Sequence, residues 1–288
     1  MKSIHIVEED LPSAWERAVC ACWESGERVA TEYDQPGAPA SRDVTAFIHV
    51  TAPFKEPRIH RAFPGGLEDL EKYRLEVLHG VHDHWIDPAA GKWQYTYHDR
   101  LFAYEVPGAG VLDQIAVVIA KLKKAPHSRR AQAITWQVLT DTNVDDPPCL
   151  QRLWFRVLGG KLHMNAHFRS NDAFRAAFMN MHALTELQLL VAQGVGVEPG
   201  EYIHTADSFH IYGSSFKEVE RFLQTMRARR KEERTFTTEY AREFFVDGCN
   251  ALLSEDDLPT GKREIVERRK MELMIPISPV KIIEDADA

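Results

Sequence analysis

Residues 146–149, Asp-Pro-Pro-Cys, restrict the backbone more than any other short segment of this chain. The two prolines fix the approach to Cys149 and remove two backbone donors. A single cysteine is more often a small buried hydrophobic residue than a nucleophile. Here Arg169-Ser170-Asn171-Asp172 and then Asn180 follow, which provide a cation, a hydroxyl and an amide. We therefore predict that Cys149 is a nucleophile whose thiolate form is favoured by nearby arginines.

Length and composition exclude several classes of protein. A chain of 288 residues with 44% hydrophobic and 27% charged residues suits one large globular domain or two small ones. The net charge of −8 argues against a general nucleic-acid binder. No apolar run approaches the roughly 20 residues that span a membrane, and the acidic N-terminus lacks a signal-peptide core. The four cysteines, at 20, 22, 149 and 249, form neither a zinc spacing nor a disulfide framework, so we expect a cytoplasmic location.

The pattern of apolar residues indicates an α+β domain, because strands and helices are mixed without strict alternation. Apolar-alternating runs over 152–158 and 162–168 flank Gly159-Gly160, the signature of a hairpin. Ser170, Asn171 and Asp172 are predicted to cap a helix, which places Arg169 and Ser170 at a strand-to-helix junction. The periodicity predicts further strands over 44–51 and 131–138 and helices over 12–24, 67–78, 111–123, 173–193 and 215–231.

The ordered motifs resemble those of the thymidylate synthase family, which includes the pyrimidine nucleotide hydroxymethylases. The family reads Pro-Pro-Cys, then Arg-Ser-x-Asp twenty residues later, then an Asn or Asp that closes the base pocket; Cys149, Arg169–Asp172 and Asn180 match. A block with one extra residue, Asp207–Tyr212, and the upstream Ser128-Arg129-Arg130 also fit. The resemblance implies a single catalytic domain over 1–288, with a tail at 284–288 expected to be mobile. It also implies a central mixed sheet with packed helices, one face of which forms a dimer interface.

The resemblance further implies covalent catalysis on a pyrimidine nucleoside monophosphate. The thiolate of Cys149 would add to carbon 6 of the ring, so that carbon 5 attacks the one-carbon unit of 5,10-methylenetetrahydrofolate. Asp172 would face the folate, and Arg129 and Arg130 would cross from the partner subunit of a homodimer. The remaining implied roles are catalysis for Glu76, Tyr97 and Arg169, and nucleotide binding for Arg42, Arg129, Arg130, Arg169, Ser170, Asn180, His210 and Tyr212.

The departures from the family pattern lie where the family controls water. Leu150 replaces a histidine after the cysteine, and residues 77–85 carry three histidines at apolar or aromatic family positions. The C-terminal sealing motif is altered at 279–282. Because a wetter site favours capture of the one-carbon unit by water, we expect 5-hydroxymethylation of CMP or dCMP.

Three matters stay open at the level of sequence. Methylation of dUMP is the alternative activity, and a non-catalytic nucleotide-binding homologue is a second. Asn180 can read either uracil or cytosine, because its amide offers one acceptor and two donors. No metal is expected, since the histidines at 79, 82 and 84 lack the spacing of a metal site with a fourth ligand.

Overall fold

The computed structural model describes residues 1–275, so the expectations for 279–282 and for the tail at 284–288 lie outside the described residues. The strands are β1 Ser3–Glu8, β2 Glu27–Val29, β3 Ser41–Val50, β4 Ile59–His60, β5 Tyr104–Val106, β6 Gly110–Leu112, β7 Ala131–Ile134, β8 Leu150–Leu158, β9 Lys161–Asp172, β10 Glu198–Ile211 and β11 Thr235–Phe236. The helices are α1 Leu11–Ser25, α2 Leu67–His79, α3 Tyr97–Phe102, α4 Gln114–Lys124, α5 Val138–Asp141, α6 Ala177–Val195, α7 Phe216–Ala228, α8 Thr238–Leu253 and α9 Thr260–Met274.

A mixed sheet forms the centre of the described chain, and its strand order is β1-β3-β10-β9-β8-β7, with β2 paired to β3. The β1–β3 and β9–β10 pairs are parallel, whereas the other pairs are antiparallel. Helices α1, α4 and α6 pack on the sheet, and α2 packs against α6 and α8. This architecture confirms the predicted α+β fold with a central mixed sheet and packed helices.

The two faces of the sheet differ in burial. Val44, Ala46 and Ile48 of β3 face the helices and are fully buried. The alternate positions lie on the other face, because successive side chains of a strand point in opposite directions. That face carries half-buried or exposed aromatic and histidine side chains: His5, Phe47, His49, Trp154, His163 and His167.

The hairpin of β8 and β9 positions the centre of the predicted site. Gly159 and Gly160 form its turn with φ values of 57° and 76°, which glycine adopts without a steric penalty. The strands pair from Leu158 with Lys161 back to Leu150 with Phe168. At the open end the backbone amide of Arg169 donates to the carbonyl oxygen of Cys149 at 2.9 Å. The twenty-residue spacing therefore brings Cys149 and Arg169 opposite each other.

The predicted helix cap at 170–172 is wrong. Ser170 and Asp172 belong to β9, where they pair with Ser208 and His210 of β10, and α6 begins only at Ala177. The backbone amides at 174 and 175 donate to Asp172 Oδ1 at 2.9 and 2.8 Å, so the carboxylate stabilises a turn instead of a helix end. Pairing with a neighbouring strand outweighed the local preference of these polar residues for a helix N-terminus.

Two further boundaries differ from the prediction. The helix expected over 111–123 begins at Gln114, because the chain before it forms β6 and pairs with β5. The strand expected over 131–138 ends at Ile134. The other predicted helices agree with the structure to within a few residues, except at the start of α6.

A β-bulge accommodates the extra residue in the block at 207–212. The pairing of β10 with β3 shifts between Ala206 and Phe209, whereas the pairing of β10 with β9 continues through Ser208 and His210. A bulge leaves one residue of a strand unpaired and bends it locally. His210 therefore stays in register with Asp172 despite the insertion.

Candidate active site

A cavity of about 850 Å³ lies at the end of β9 and β10, beside α2 and α6. Its volume lies within the range usual for small-molecule sites. Eight of the twelve residues assigned to the site from sequence line it: Glu76, Tyr97, Cys149, Ser170, Asp172, Asn180, His210 and Tyr212. The other four are arginines, at 42, 129, 130 and 169. The structure thus brings the predicted polar and nucleophilic residues together but leaves the four predicted arginines outside the cavity lining.

Cys149 is half-buried at the base of the hairpin and faces this cavity. Burial raises the pKa of its thiol above the ordinary value, because a thiolate loses hydration there. Arg169 acts against this increase, whereas the carboxylate of Asp146 adds to it. The predicted effect of Arg169 on the pKa is present, but burial outweighs it. The raised pKa therefore favours the thiol form of Cys149 at neutral pH.

Arg169 lies directly behind the nucleophile. Its Nη2 is 3.8 Å from Cys149 Sγ and donates to the carbonyl oxygen of Pro147 at 2.6 Å. Its Nε donates to the carbonyl oxygen of Pro148 at 3.1 Å. A guanidinium has several donors in a rigid fork, so one side chain can fix the Pro-Pro turn and still approach the sulfur.

Two tyrosines lie next to the thiol. The hydroxyl of Tyr97 accepts a hydrogen bond from the backbone amide of Leu150 at 3.2 Å. The ring centroid of Tyr95 lies 5.7 Å from that of Tyr97. Burial raises the pKa of both the Tyr97 and the Tyr95 hydroxyl above the usual value, so both stay protonated at neutral pH. Leu150 itself is fully buried and does not line the cavity.

Asn180 is held by a residue that the sequence reasoning missed. Tyr73 of α2 donates its hydroxyl to Asn180 Oδ1 at 2.6 Å. Asn180 is 7% exposed, so its orientation inside the cavity depends on this contact. Because 107 positions separate the two residues, no local sequence signal indicates the pair. With one oxygen lone pair bound to Tyr73, the amide still presents donors and a second lone pair to a ligand.

A short polar network surrounds His210. Its Nδ1 lies 3.3 Å from the hydroxyl of Ser208, which in turn donates to Asp43 of β3. Nε2 of His210 is buried and has no hydrogen-bond partner among residues 1–275. The ring of Tyr212 packs edge-on at 4.6 Å, and burial raises the pKa of the Tyr212 hydroxyl to about 12. An unpaired buried nitrogen that faces a cavity is suited to bind a ligand hydroxyl.

Asp172 also lines the cavity. Burial raises the pKa of its carboxyl, and the backbone amides of Arg175 and Phe174 and the nearby His210 act in the opposite direction. The same oxygen, Oδ1, accepts from both amides, so the other oxygen is left for a ligand.

Glu76 lies on α2, on the side of the cavity away from the strands. Its Oε2 is 2.8 Å from His82 Nδ1, and the ring of His82 stacks on Trp85 at 3.9 Å between centroids. His82 is one of the three histidines that depart from the family pattern. The sequence marked it as unusual but gave no indication that it contacts Glu76.

The remaining arginines lie away from the cavity. Arg129 and Arg130 are exposed in the turn between α4 and β7, where Trp154 Nε1 and Lys121 Nζ donate to their respective backbone carbonyl oxygens at 3.0 Å. Arg42 of β3 packs over the ring of Trp23 at 4.7 Å, and burial lowers the pKa of its guanidinium. In a single chain these three cations are not assembled around one anion.

In residues 1–275, no cluster of three or more His, Cys, Asp or Glu side chains has an arrangement that could hold a metal ion. Within the same range, no helix combines the length and apolar character required to cross a bilayer.

Comparison with known proteins places these features in a family. The family model described as "Thymidylate synthase" matches residues 68–244. A protein of Methanosarcina mazei named "Putative thymidylate synthase" is 32% identical over 216 residues, which cover 75% of this chain and 93% of that protein. A protein of the same name from Methanocaldococcus jannaschii is 33% identical over 212 residues, which cover 72% of this chain and 90% of that protein.

The fold agrees with a solved structure of the same family. The thermostable thymidylate synthase A from Bacillus subtilis superposes with a TM-score of 0.59, over 73% of this chain and 83% of that one. At 22% identity this likeness concerns the fold alone. Together with the family match, which covers more than half of the sequence, it shows that the chain belongs to the thymidylate synthase family.

Proposed function

We propose that this protein is a folate-dependent 5-hydroxymethyltransferase that acts on a cytidine monophosphate, CMP or dCMP, in the cytoplasm. The observation that carries the proposal is the polar side of the cavity next to Glu76. There His82, which lies behind the cavity lining, contacts the carboxylate of Glu76 at 2.8 Å. A charged, hydrogen-bonding environment of this kind retains water, which is the second reactant of a hydroxymethylation.

The chemistry follows from the nucleophile. The sulfur of Cys149 adds to carbon 6 of the pyrimidine, which makes carbon 5 nucleophilic toward the one-carbon unit of 5,10-methylenetetrahydrofolate. Loss of the carbon 5 proton and of tetrahydrofolate leaves an exocyclic methylene on carbon 5. Water adds to this methylene and gives a hydroxymethyl group, and the thiolate of Cys149 then leaves. Arg169 supports the thiolate in this account, and Tyr97 serves as the proton donor or acceptor near the ring.

The nucleotide is proposed to lie along the strand ends. Asn180 reads the base edge, and His210 and Tyr212 hold the ribose hydroxyl through the free Nε2 and the phenol. Ser170 donates to the phosphate, and Asp172 faces the folate. The phosphate also requires cations, which guanidinium groups supply in a bidentate geometry.

We propose that a homodimer supplies these cations. Arg129 and Arg130 project from an exposed turn, and the half-exposed sheet face offers an aromatic surface of the type found in subunit interfaces. In a dimer built on that face, the two arginines of one subunit reach the phosphate in the other, alongside Arg42 and Arg169 in the same subunit.

Subunit complementation tests this arrangement. Mixing an inactive Cys149→Ser subunit with an inactive Arg130→Ala subunit is expected to restore partial activity, because one composite site then regains both groups. Absence of activity despite demonstrated subunit exchange would contradict donation in trans. A mixture of Cys149→Ser with Arg169→Ala serves as the control, since both of these residues belong to the same site.

Methylation of dUMP is the second candidate, and the names of the archaeal relatives favour it. Incubation with methylenetetrahydrofolate and each of dUMP, UMP, dCMP and CMP, followed by mass analysis, separates the two activities. We expect a cytidylate to gain a hydroxymethyl group, whereas a methyl gain on dUMP alone would contradict the proposal. Nucleotide binding and protection of Cys149 from alkylation, without turnover of any of the four, would indicate the non-catalytic homologue.

A further inference from the structure

A second cavity, of about 350 Å³, lies on the far side of Glu76 from the strands. Tyr73 and Glu76 line both this cavity and the active-site cavity. His82, Trp85 and Glu255 line the second cavity only. Glu76 therefore stands between the place where the nucleotide would react and a separate polar cavity.

Three titratable side chains are arranged in a row between the two cavities. Glu76 Oε2 is 2.8 Å from His82 Nδ1, and His82 Nε2 is 3.6 Å from Glu255 Oε2. His82 is nearly buried, and its flat ring is held by stacking on Trp85 at 3.9 Å. Glu255 is the most exposed of the three, with 26% of its side chain accessible. The row thus leads from a carboxylate in the active-site cavity to a carboxylate near the surface.

The outermost member of this row comes from a different part of the chain. Glu255 follows α8 and lies beyond residues 68–244, to which the family match extends. Nε2 of His82 and Oε2 of Glu255 are both buried atoms without a hydrogen-bond partner among the described residues. Unpaired buried polar atoms are costly, so their approach to each other calls for a shared proton or an intervening water.

We propose that Glu76, His82 and Glu255 form a proton exit route that serves the addition of water to the exocyclic methylene on carbon 5. The inference rests on the proposed hydroxymethylation, and in it His82 acts through Glu76 as a positioning and relay residue. A histidine suits this task because its two nitrogens can take up a proton on one side of the ring and release another on the opposite side.

The step balances in protons and electrons. The water oxygen forms a bond to the exocyclic methylene carbon, and the electron pair of the methylene double bond moves into the ring. One water proton passes to one oxygen of Glu76 while the proton shared between Oε2 of Glu76 and Nδ1 of His82 moves onto the imidazole ring. The proton on Nε2 leaves to Glu255 and then to solvent in the second cavity. The ring anion expels the thiolate of Cys149 and restores the 5,6 double bond, and the other water proton remains on the hydroxymethyl group.

His82→Gln tests the route, because glutamine keeps a polar contact with Glu76 but cannot relay a proton. His84→Gln is the matched control: His84 pairs with the exposed Asp257 at 3.4 Å and lines neither cavity. A 5-fluoro-substituted nucleotide isolates the earlier steps, since fluorine cannot leave carbon 5 as a proton and the covalent adduct accumulates on Cys149. Intact-protein mass analysis then detects that adduct.

For His82→Gln we expect the kcat of hydroxymethylation to fall about 10- to 100-fold, within or below the range that a direct general base contributes. The KM for nucleotide and the yield of fluoro adduct should stay within about twofold of the parent. Glu255→Gln should lower kcat about 3- to 10-fold, again with little change in KM or adduct yield. If His82→Gln does not fold, Glu255→Gln alone tests the route. His84→Gln should match the parent in every measurement.

Two results would overturn the route. One is a folded His82→Gln or Glu255→Gln protein that turns over at the parent rate. The other is a loss of adduct formation that equals the loss of turnover, because a purely structural defect would affect both steps alike. If the parent protein itself makes a methyl product, the proposed function fails instead, and that outcome is recognised before any variant is compared.

Discussion

The active-site cavity has two walls that differ in how they are built. The strand wall, formed by Cys149, Ser170, Asp172 and His210, is fixed by backbone pairing among β8, β9 and β10. The helical wall, formed by α2 and residues 92–97, is held by contacts between side chains, such as Glu76 with His82 and Thr96 with Asp83.

The two walls therefore differ in how much sequence change each can accept. A slip of one residue in a strand moves every side chain to the other face, so the strand wall tolerates little change in spacing. Even the insertion near Asp207 is confined to a bulge against β3 and leaves the β9–β10 register intact there. Side-chain contacts on the helical wall can be exchanged without disturbing the sheet. We therefore assign covalent addition to the strand wall and the choice of product to the helical wall.

Cys149→Ser is the most severe test of the strand wall. We expect turnover to fall by about 10⁴-fold or more, because loss of a nucleophile removes the covalent pathway. The fluoro adduct should be absent, while nucleotide binding measured by calorimetry stays within a few-fold of the parent. Cys20→Ser, at a half-buried cysteine outside the cavity lining, is the control and should retain activity. Retained turnover in Cys149→Ser would remove the mechanism.

Glu76→Gln tests the helical wall. The amide cannot accept the proton of water, so we expect kcat to fall about 10²- to 10⁴-fold. The covalent adduct with the 5-fluoro nucleotide should still form, in contrast to Cys149→Ser. If Glu76→Gln also abolished the adduct, the division of labour between the two walls would be incorrect.

Asn180→Ala concerns the base pocket, where α6 meets α2. Removal of the amide leaves the base edge and the hydroxyl of Tyr73 without partners, so kcat/KM should fall about 100-fold, equivalent to roughly 3 kcal/mol. Tyr73→Phe keeps the amide but loses its anchor, and about a fivefold decrease is expected, consistent with about 1 kcal/mol for one hydrogen bond. Steady-state kinetics on both variants test this order, and a larger effect from Tyr73→Phe would contradict it.

Of these four tests, the pH dependence of Cys149 alkylation should show the smallest change. Because burial raises the thiol pKa, the rate of reaction with iodoacetamide should keep increasing above the ordinary pKa of a cysteine. Arg169→Ala should move the midpoint to still higher pH, since it removes the charge that favours the thiolate. A midpoint below that of a free thiol would show that the cation dominates over burial. Cys149→Ser serves to subtract the reaction of the other three cysteines.

Local patterns predicted the fold and the strand wall better than the helical wall. The Gly159-Gly160 hairpin and the spacing of Cys149 to Arg169 were readable because pairing across a tight turn is a short-range event. The start of α6 was misjudged, since residues 170–172 pair with β10, and nothing nearby in the sequence reports that contact.

The helical wall depends on contacts between residues that are far apart in the sequence. Tyr73 meets Asn180, and Glu255 meets His82, only after the helices have packed. The histidines at 79, 82 and 84 were visible as departures from the family pattern, but the choice of His82 as the partner of Glu76 required the fold. The roles of the exposed Arg129 and Arg130 depend on a second subunit and stay a proposal.

The central claim, that water instead of a hydride completes the reaction, can be tested in a single experiment. The protein is incubated with CMP or dCMP and methylenetetrahydrofolate in oxygen-18 water, and product mass and folate absorbance are followed together. The account predicts a 5-hydroxymethyl nucleotide that carries oxygen-18, formed in step with tetrahydrofolate. An unlabelled 5-methyl nucleotide formed in step with dihydrofolate would contradict it.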